Sequence, residues 1–354
     1  MRRRLAVAAF LPASLAAGAA LACGAGFGPS VVVDPHQDII VSWKDGVETY
    51  VFQPTFCGAA ADFGLILPVP AQLSREPALA DQQAFTKAAA LSEPRKEEMK
   101  TGQGFACASG GSLGGMKNAT VDPGPAIVAS GRVGFLDWTQ LKATTTASFT
   151  DWLTANGYPY SDSATSAFAY YVSKGWYFLA FRISQQTAPG GGTICQALGP
   201  VALSFPSTGP VIPSRMASAG AAVNGTSFYS WRIFGLTRGD AQLGFGQDAS
   251  STSRTLWYSG AIAAADAASF GGLAEAGDRL TRLTITFYSN TVDPDVGLAL
   301  AAPTDYRGVE YITVQDDSAC SVSGKTNAAR SCLVACAGVA WAGMVVWRRR
   351  RRGR

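Results

Sequence analysis

An uncharged stretch of 17 residues, Ser331 to Trp347, runs straight into Arg348, Arg349, Arg350, Arg351, Arg352 and Arg354. This juxtaposition constrains the chain more than any other feature. At about 1.5 Å per residue a helix of that length reaches roughly 25 Å, the short end of what crosses a bilayer. Arg330 and Arg348 flank it where long basic side chains snorkel to headgroups, and Trp347 suits the interface. A nucleic-acid arm would mix basic residues with polar and aromatic ones over a longer stretch, whereas here the neighbour is apolar. The sequence therefore predicts a transmembrane helix at 331–347 and a cytoplasmic arginine tail at 348–354 that serves as the membrane stop flank.

The opposite end agrees. Arg2, Arg3 and Arg4 precede an apolar run from Leu5 to Ala22, closed by Ala20-Leu21-Ala22 before Cys23. That is the order of a secretory signal, with cleavage expected between Ala22 and Cys23. An uncleaved anchor helix is the competing reading, weakened by Pro12 and the many alanines, which make the run only mildly hydrophobic. Residues 1–22 are thus read as a signal peptide and 23–324 as an extracytoplasmic domain, with the arginine tail inside as the positive-inside rule requires. The localisation expected is a single-pass cell-membrane protein whose membrane partner is its C-terminal helix.

Assigning nine arginines to the two ends leaves 20 Lys and Arg against 25 Asp and Glu, so the whole-chain net of +4 becomes mildly acidic for the exported part. An acidic domain without a basic stripe is a poor nucleic-acid ligand, and none is expected as a partner. A protein or other envelope partner is left unspecified.

Local patterns give the fold class. In "IIVSWKDGVETYVF" (Ile39 to Phe52), Asp45-Gly46 separates two β-rich runs and predicts a hairpin. "ADFGLILPVPA" predicts a strand that stops at Leu67, because Pro68 and Pro70 cannot donate to a ladder. Ala78 to Leu91 predicts a helix, and residues 92–125, with the charge cluster Arg95 to Lys100, predict a long loop or insertion. Ser148 and Asp151 resemble a capping box opening a helix that ends at Asn156-Gly157; a second helix spans about Ser163 to Lys174 and stops at Gly175. Strands follow at Trp176 to Ile183, Val201 to Phe205, Ser227 to Leu236 and Leu280 to Tyr288. Helices and strands interleave without a βαβ rhythm. The fold class expected is α+β, mostly antiparallel sheets with a few short helices packed on them, plus the C-terminal transmembrane helix.

"DFGLILPVP", "DWLTANGY", "YYVSKGWYFLAFRI", "GPVALSFPS" and "LTRLTITFYS" follow one another in this order. In these motifs, and in a signal segment, Cys23-Gly24 and a C-terminal apolar segment, the chain resembles the bacterial domain of unknown function family 2330. The resemblance covers most of residues 23 to 300. It implies an exported, membrane-held architecture and carries no catalytic or binding residues. Members often have a second cysteine close to the first, which "CGAGFGPS" lacks.

Five of the seven cysteines, Cys23, Cys57, Cys107, Cys195 and Cys320, lie in the exported part, where disulfides form. The candidate disulfide residues are Cys23, Cys57, Cys107 and Cys195, with Cys107 to Cys195 and Cys23 to Cys57 the expected pairs. The odd fifth thiol leaves open a lipid on Cys23, a free or modified Cys320, or an intermolecular bond. "ACSVSG", the apolar helix and the arginines also resemble the three-part C-terminal sorting signals of some Gram-negative bacteria.

Enzyme chemistry finds few footholds. His36 is the single histidine, there is neither C-x-x-C nor H-E-x-x-H, and no metal site or cofactor is expected. Gly110-Gly111-Ser112-Leu113-Gly114 matches G-x-S-x-G but lacks the strand and helix that a nucleophile elbow needs. Asp293 with Asp295, or Asp316 with Asp317, offers oxygen ligands for calcium, though acidic loop residues are more often solvated. Arg238-Gly239-Asp240 reads as a turn. The aromatic residues from Trp152 to Tyr177 read first as core and second as a carbohydrate or peptide platform. No catalytic residue is assigned. The function expected is a non-enzymatic interaction or structural domain of the envelope; the alternative is a carboxylate-dependent hydrolase or wall-modifying enzyme, which needs no histidine.

Overall fold

The computed structural model describes residues 25–27, 36–53, 55–59, 64–100, 124–158, 160, 162–184, 193–216, 228–246, 253–288, 295 and 297–314. The signal segment with Ala22 and Cys23, Cys107, Ser112, Cys320, the apolar span 331–347 and the arginine tail lie outside them. No helix among the described residues is long and apolar enough to cross a membrane. The chain divides into two units, one comprising Met1–Lys96 with Cys107–Glu310 and the other Glu97–Ala106 with Tyr311–Arg354.

The strands are β1 (Ala25–Phe27), β2 (His36–Lys44), β3 (Val47–Phe52), β4 (Thr55–Ala59), β5 (Gly64–Val69), β6 (Ala78–Leu79), β7 (Arg95–Lys100), β8 (Ala126–Val133), β9 (Leu136–Lys142) and β10 (Tyr177–Ile183). They continue with β11 (Thr193–Ala197), β12 (Val201–Pro206), β13 (Phe228–Thr237), β14 (Gln242–Phe245), β15 (Ser253–Ala261), β16 (Arg279–Tyr288), β17 (Leu298–Ala301), β18 (Tyr306–Arg307) and β19 (Val309–Val314). The helices that lie wholly within the described residues are α1 (Gln82–Leu91), α2 (Thr146–Ala155), α3 (Asp162–Ser173) and α4 (Ala264–Ala267), the last followed by a 3-10 turn at Ala268–Phe270.

The larger unit is built on two sheets. Five strands run in the order β1-β5-β10-β9-β8 and eight in the order β18-β15-β16-β13-β2-β3-β12-β6. Among the described residues the pairings in these two sheets are antiparallel except that of β2 with β13, at the centre of the larger sheet. Because side chains alternate along a strand, each sheet has two apolar faces to cover. Leu65, Leu67, Leu179 and Phe181 of the smaller sheet meet Ile39, Val41, Tyr50, Phe52, Trp231 and Leu283 of the larger one in a shared core. The residues between them point the other way. Ile66, Phe178 and Ala180 are covered by Phe149 and Leu153 of α2 and Phe168 and Tyr171 of α3. Ile40, Val51 and Phe234 are covered by Ala84, Phe85 and Ala88 of α1 and by Phe270. The result is four layers, helix, sheet, sheet, helix, in agreement with the α+β class read from the sequence.

The hairpin at Asp45-Gly46 forms as expected, with φ of 52° and 77° at the two turn residues, the left-handed pair that a two-residue turn of the right twist needs. Other expectations are corrected. Strand β5 continues through Pro68 to Val69. Its neighbour β1 reaches only from Gly64 to Ile66, so Pro68 sits where one side of β5 carries no described ladder and a missing N–H is tolerated. Helix α1 starts at Gln82, capped by Asp81, whose carboxylate accepts the N–H of Gln83 at 2.8 Å; Ala78 and Leu79 instead pair with β12. Helix α2 is capped by Thr145, three residues before the expected Ser148. The cluster Arg95 to Lys100, expected in a loop, is strand β7 and pairs with β19 in a separate two-stranded ladder. The described residues of the smaller unit are 97–100 of β7 and 311–314 of β19.

Candidate functional site

Buried and partly buried carboxylates of the larger unit are the natural places to look for chemistry, because taking a carboxylate out of water is costly unless something there uses or satisfies it. Three stand out: Glu48, Asp278 and Asp295.

Glu48 lies on β3 with Tyr50 and Phe52 on the same face, and its side chain is 0% exposed. One oxygen, Oε2, accepts the backbone N–H of Val211 at 2.8 Å. The other, Oε1, has no hydrogen-bond partner among the described residues. Burial pushes the carboxyl well above the usual range, only partly opposed by the Val211 N–H. Val211 also forms part of an apolar crevice with Tyr50, Leu67, Pro68, Val69, Phe205 and Pro213, too narrow for a water molecule.

Asp295 belongs to the "TVDPDVG" segment that offered calcium ligands. Its Oδ1 accepts the phenolic O–H of Tyr171 and the backbone N–H of Arg215, the latter at 3.1 Å. Burial raises its pKa, while Tyr171, the Arg215 N–H and the nearby cations of Lys174 and Arg215 act against the rise. Burial likewise pushes the Tyr171 phenol well above its usual range, and the Asp295 charge adds to the effect. Around this pair the Arg215 guanidinium lies 4.5 Å and the Lys174 ammonium 4.5 Å from the centre of the Tyr170 ring. The cluster fastens segments far apart in the chain to the end of α3. Asp293, Asp316 and Asp317 lie outside the described residues, and no group of three or more metal-ligating side chains occurs among those described.

Asp278 is a structural anchor. It pairs with Lys44 and accepts the N–H of Glu275 at 2.7 Å, and Lys44 also donates to the carbonyl of Leu273 at 2.8 Å. Arg238, first residue of the Arg-Gly-Asp triplet, bonds Asp45 at 2.8 Å and Glu275 at 3.2 Å. The triplet therefore holds the tip of the β2–β3 hairpin to the loop before β16.

The aromatic segment divides into buried and partly buried residues. Phe149 stacks on Phe178 at 4.0 Å, and Tyr158 and Tyr171 are buried, so core packing accounts for much of it. Trp152, Tyr160, Tyr170 and Trp176 are only partly buried against that core. Of the candidate disulfide residues, Cys57 is on β4 and Cys195 on β11, and the backbone register sets them opposite each other; Cys23 and Cys107 lie outside the described residues.

Glu48 escaped the sequence reading, although the alternation Glu48-Tyr50-Phe52 in "VETYVF" already places it on the apolar face of a strand. Asp295 was noticed for its charge, but its partners Tyr171 and Arg215 are too distant in sequence to be read from it.

A family model described as an uncharacterised protein conserved in bacteria, domain of unknown function 2330, matches residues 17–299. No curated protein matches the sequence. Among solved structures, a mutated baculovirus P35 after caspase cleavage is 5% identical with a TM-score of 0.30, covering 75% of this chain and 99% of its own. A likeness of that size carries no argument about fold or activity.

Proposed function

This chain belongs to the bacterial domain of unknown function family 2330, and from that premise we propose that it is an exported, membrane-anchored envelope protein. Its four-layer domain serves a non-enzymatic interaction or structural role outside the cytoplasm. The observation that carries the location is the agreement of the two ends on one topology: Arg2 to Arg4 before an apolar run ending at Ala22, and an uncharged run at 331–347 before Arg348.

What supports a non-enzymatic role is the way these carboxylates are used. Glu48 holds the Val211 backbone and Asp295 holds Tyr171 and Arg215. A glycosidase-type reaction would need two carboxyls facing one substrate cleft. The crevice near Glu48 is apolar and closed even to water, and Asp295 is tied to α3. The carboxylate-dependent alternative would give Glu48 or Asp295 the part of a protonated general acid, consistent with the raised pKa of each.

The test of location is N-terminal sequencing of the full chain made in bacteria, together with a carbonate wash of its membranes. A mature chain beginning at Cys23 that stays with the washed membranes supports the proposal. Recovery of the domain in the wash with Arg354 still attached removes the anchor. Hydrolysis of envelope polymers that is lost in Glu48→Gln or Asp295→Asn, with folding intact, would favour the enzyme.

A further inference from the structure

Strands β3, β4 and β5 follow one another along the chain, as do β10, β11 and β12, and they pair in reverse order. β3 pairs with β12, β4 with β11 and β5 with β10, all antiparallel. β3 and β12 belong to the eight-stranded sheet, whereas β5 and β10 belong to the five-stranded one. The described strands of these two stretches of chain are therefore paired antiparallel in three successive steps, the first in one sheet and the last in the other. β4 and β11 are the part in transit, a two-stranded ladder that belongs to neither sheet.

In that transit Cys195 is the partner of Cys57, with Ile194 opposite Gly58 and Thr193 opposite Ala59 on one side, and Gln196 opposite Phe56 and Ala197 opposite Thr55 on the other. Directly opposed residues in an antiparallel pair have Cα atoms about 4.5 or 5.5 Å apart, depending on the hydrogen-bonding position. Both spacings fall within the roughly 4.4–6.8 Å that a disulfide spans. Only 7 of the 354 residues are cysteines, and the register sets two of them directly opposite one another.

We propose that Cys57 and Cys195 are joined by a disulfide that cross-links β4 to β11 at the middle of these three pairings. This pairing differs from the Cys107–Cys195 and Cys23–Cys57 pairs expected from the sequence. It rests on the exported location proposed above only for the presence of an oxidant. The two thiols lose two protons and two electrons as the S–S bond forms, and a protein or glutathione disulfide takes up both electrons and becomes two thiols. Cys23, Cys107 and Cys320 are then left to one another, to modification or to the free state.

The experiment is non-reducing peptide mapping of the full chain after blocking free thiols with N-ethylmaleimide. One sample is taken from oxidised cell envelopes. The other is purified, reduced and reoxidised with oxidised glutathione under folding conditions. A peptide joining the Cys57 segment to the Cys195 segment, lost on adding dithiothreitol, is expected as the main product in both samples. The link in the second sample alone supports the pairing and counts against the exported location. Cys57 and Cys195 both alkylated in both samples, or either joined mainly to another cysteine, overturns the proposal.

Discussion

Val211 donates its backbone N–H to the carboxyl of Glu48 across 2.8 Å, fixing the loop after β12 to a side chain that no solvent reaches. This bond tolerates a neutral partner. Burial holds the Glu48 carboxyl well above its usual pKa, so the folded chain keeps a proton that the unfolded chain releases near the ordinary carboxylate value. Stability from this group is therefore full below that value and falls as pH rises towards the folded pKa, by up to about 1.4 kcal/mol per pH unit. Glu48→Gln retains a carbonyl to accept from Val211 and carries no charge. We expect the variant to match the parent near pH 4 and to exceed it at neutral pH, with a flatter profile in urea melts taken from pH 4 to 8. A parent whose stability rises across that interval as steeply as it falls here, and a variant that merely follows it, would refute the assignment.

The Tyr171–Asp295 contact makes a different prediction, because Tyr171 is fully buried, Asp295 is partly buried and each satisfies the other. Tyr171→Phe leaves Oδ1 of Asp295 with the Arg215 N–H, while Oδ2 already has no hydrogen-bond partner among the described residues. Loss of a part-buried bond to a carboxylate costs about 1–3 kcal/mol. Asp295→Asn should cost a similar amount. The double variant should lose clearly less than the two combined, since the second change removes a partner already gone. Denaturant melts of the four proteins give the coupling, and strict additivity would mean that the contact contributes nothing.

How much of this could be read from the sequence depends on whether the signal is local. The Asp45-Gly46 turn, the helix stops at Gly157 and Gly175, and the buried run at β10 are written in adjacent residues, and the structure agrees with them. Strand β8 was not legible, because Ala126, Ile127, Ser130 and Gly131 are exposed and leave no apolar alternation to detect. Strand β7 was hidden by its charges. The parallel pairing of Ile39 with Ile233 joins segments nearly two hundred residues apart, and no periodicity announces a partner at that range. The same holds for the register that sets Cys57 opposite Cys195. Periodicity reports which face of an element is buried, and leaves the identity of what covers it to the tertiary structure.

Gly235 tests the packing of the core directly. It lies on β13 between Val41 and Thr281, and a Cβ added there would meet Cβ of Leu243 at 2.5 Å and its Cδ2 at 2.6 Å. Leu243 is itself fully buried, so neither strand yields without disturbing the shared core. Gly235→Ala should cost about 1–3 kcal/mol or more. Gly209→Ala is the control: an added Cβ meets nothing within 4 Å there, and the change should be neutral or stabilising by about 0.4–1 kcal/mol. Thermal melts that fail to separate the two variants would show that β14 does not press on β13 as described.

The arginine tail separates topology from binding, and the two make opposite predictions. If Arg348 to Arg352 and Arg354 form a stop-transfer flank, replacing all six with uncharged residues removes the charge that holds a 17-residue, marginally hydrophobic helix in place. The chain should then be released or misplaced while its folded domain survives, because that domain's described core ends well before residue 331. If instead the arginines bind a polyanion, anchoring should persist, and what disappears is an interaction whose salt dependence grows with the number of arginines. Fractionation followed by limited proteolysis distinguishes the two. We expect a protease-resistant domain of unchanged size, recovered outside the membrane fraction. Full membrane retention combined with loss of salt-sensitive binding to nucleic acid or anionic vesicles would reverse the reading of the tail.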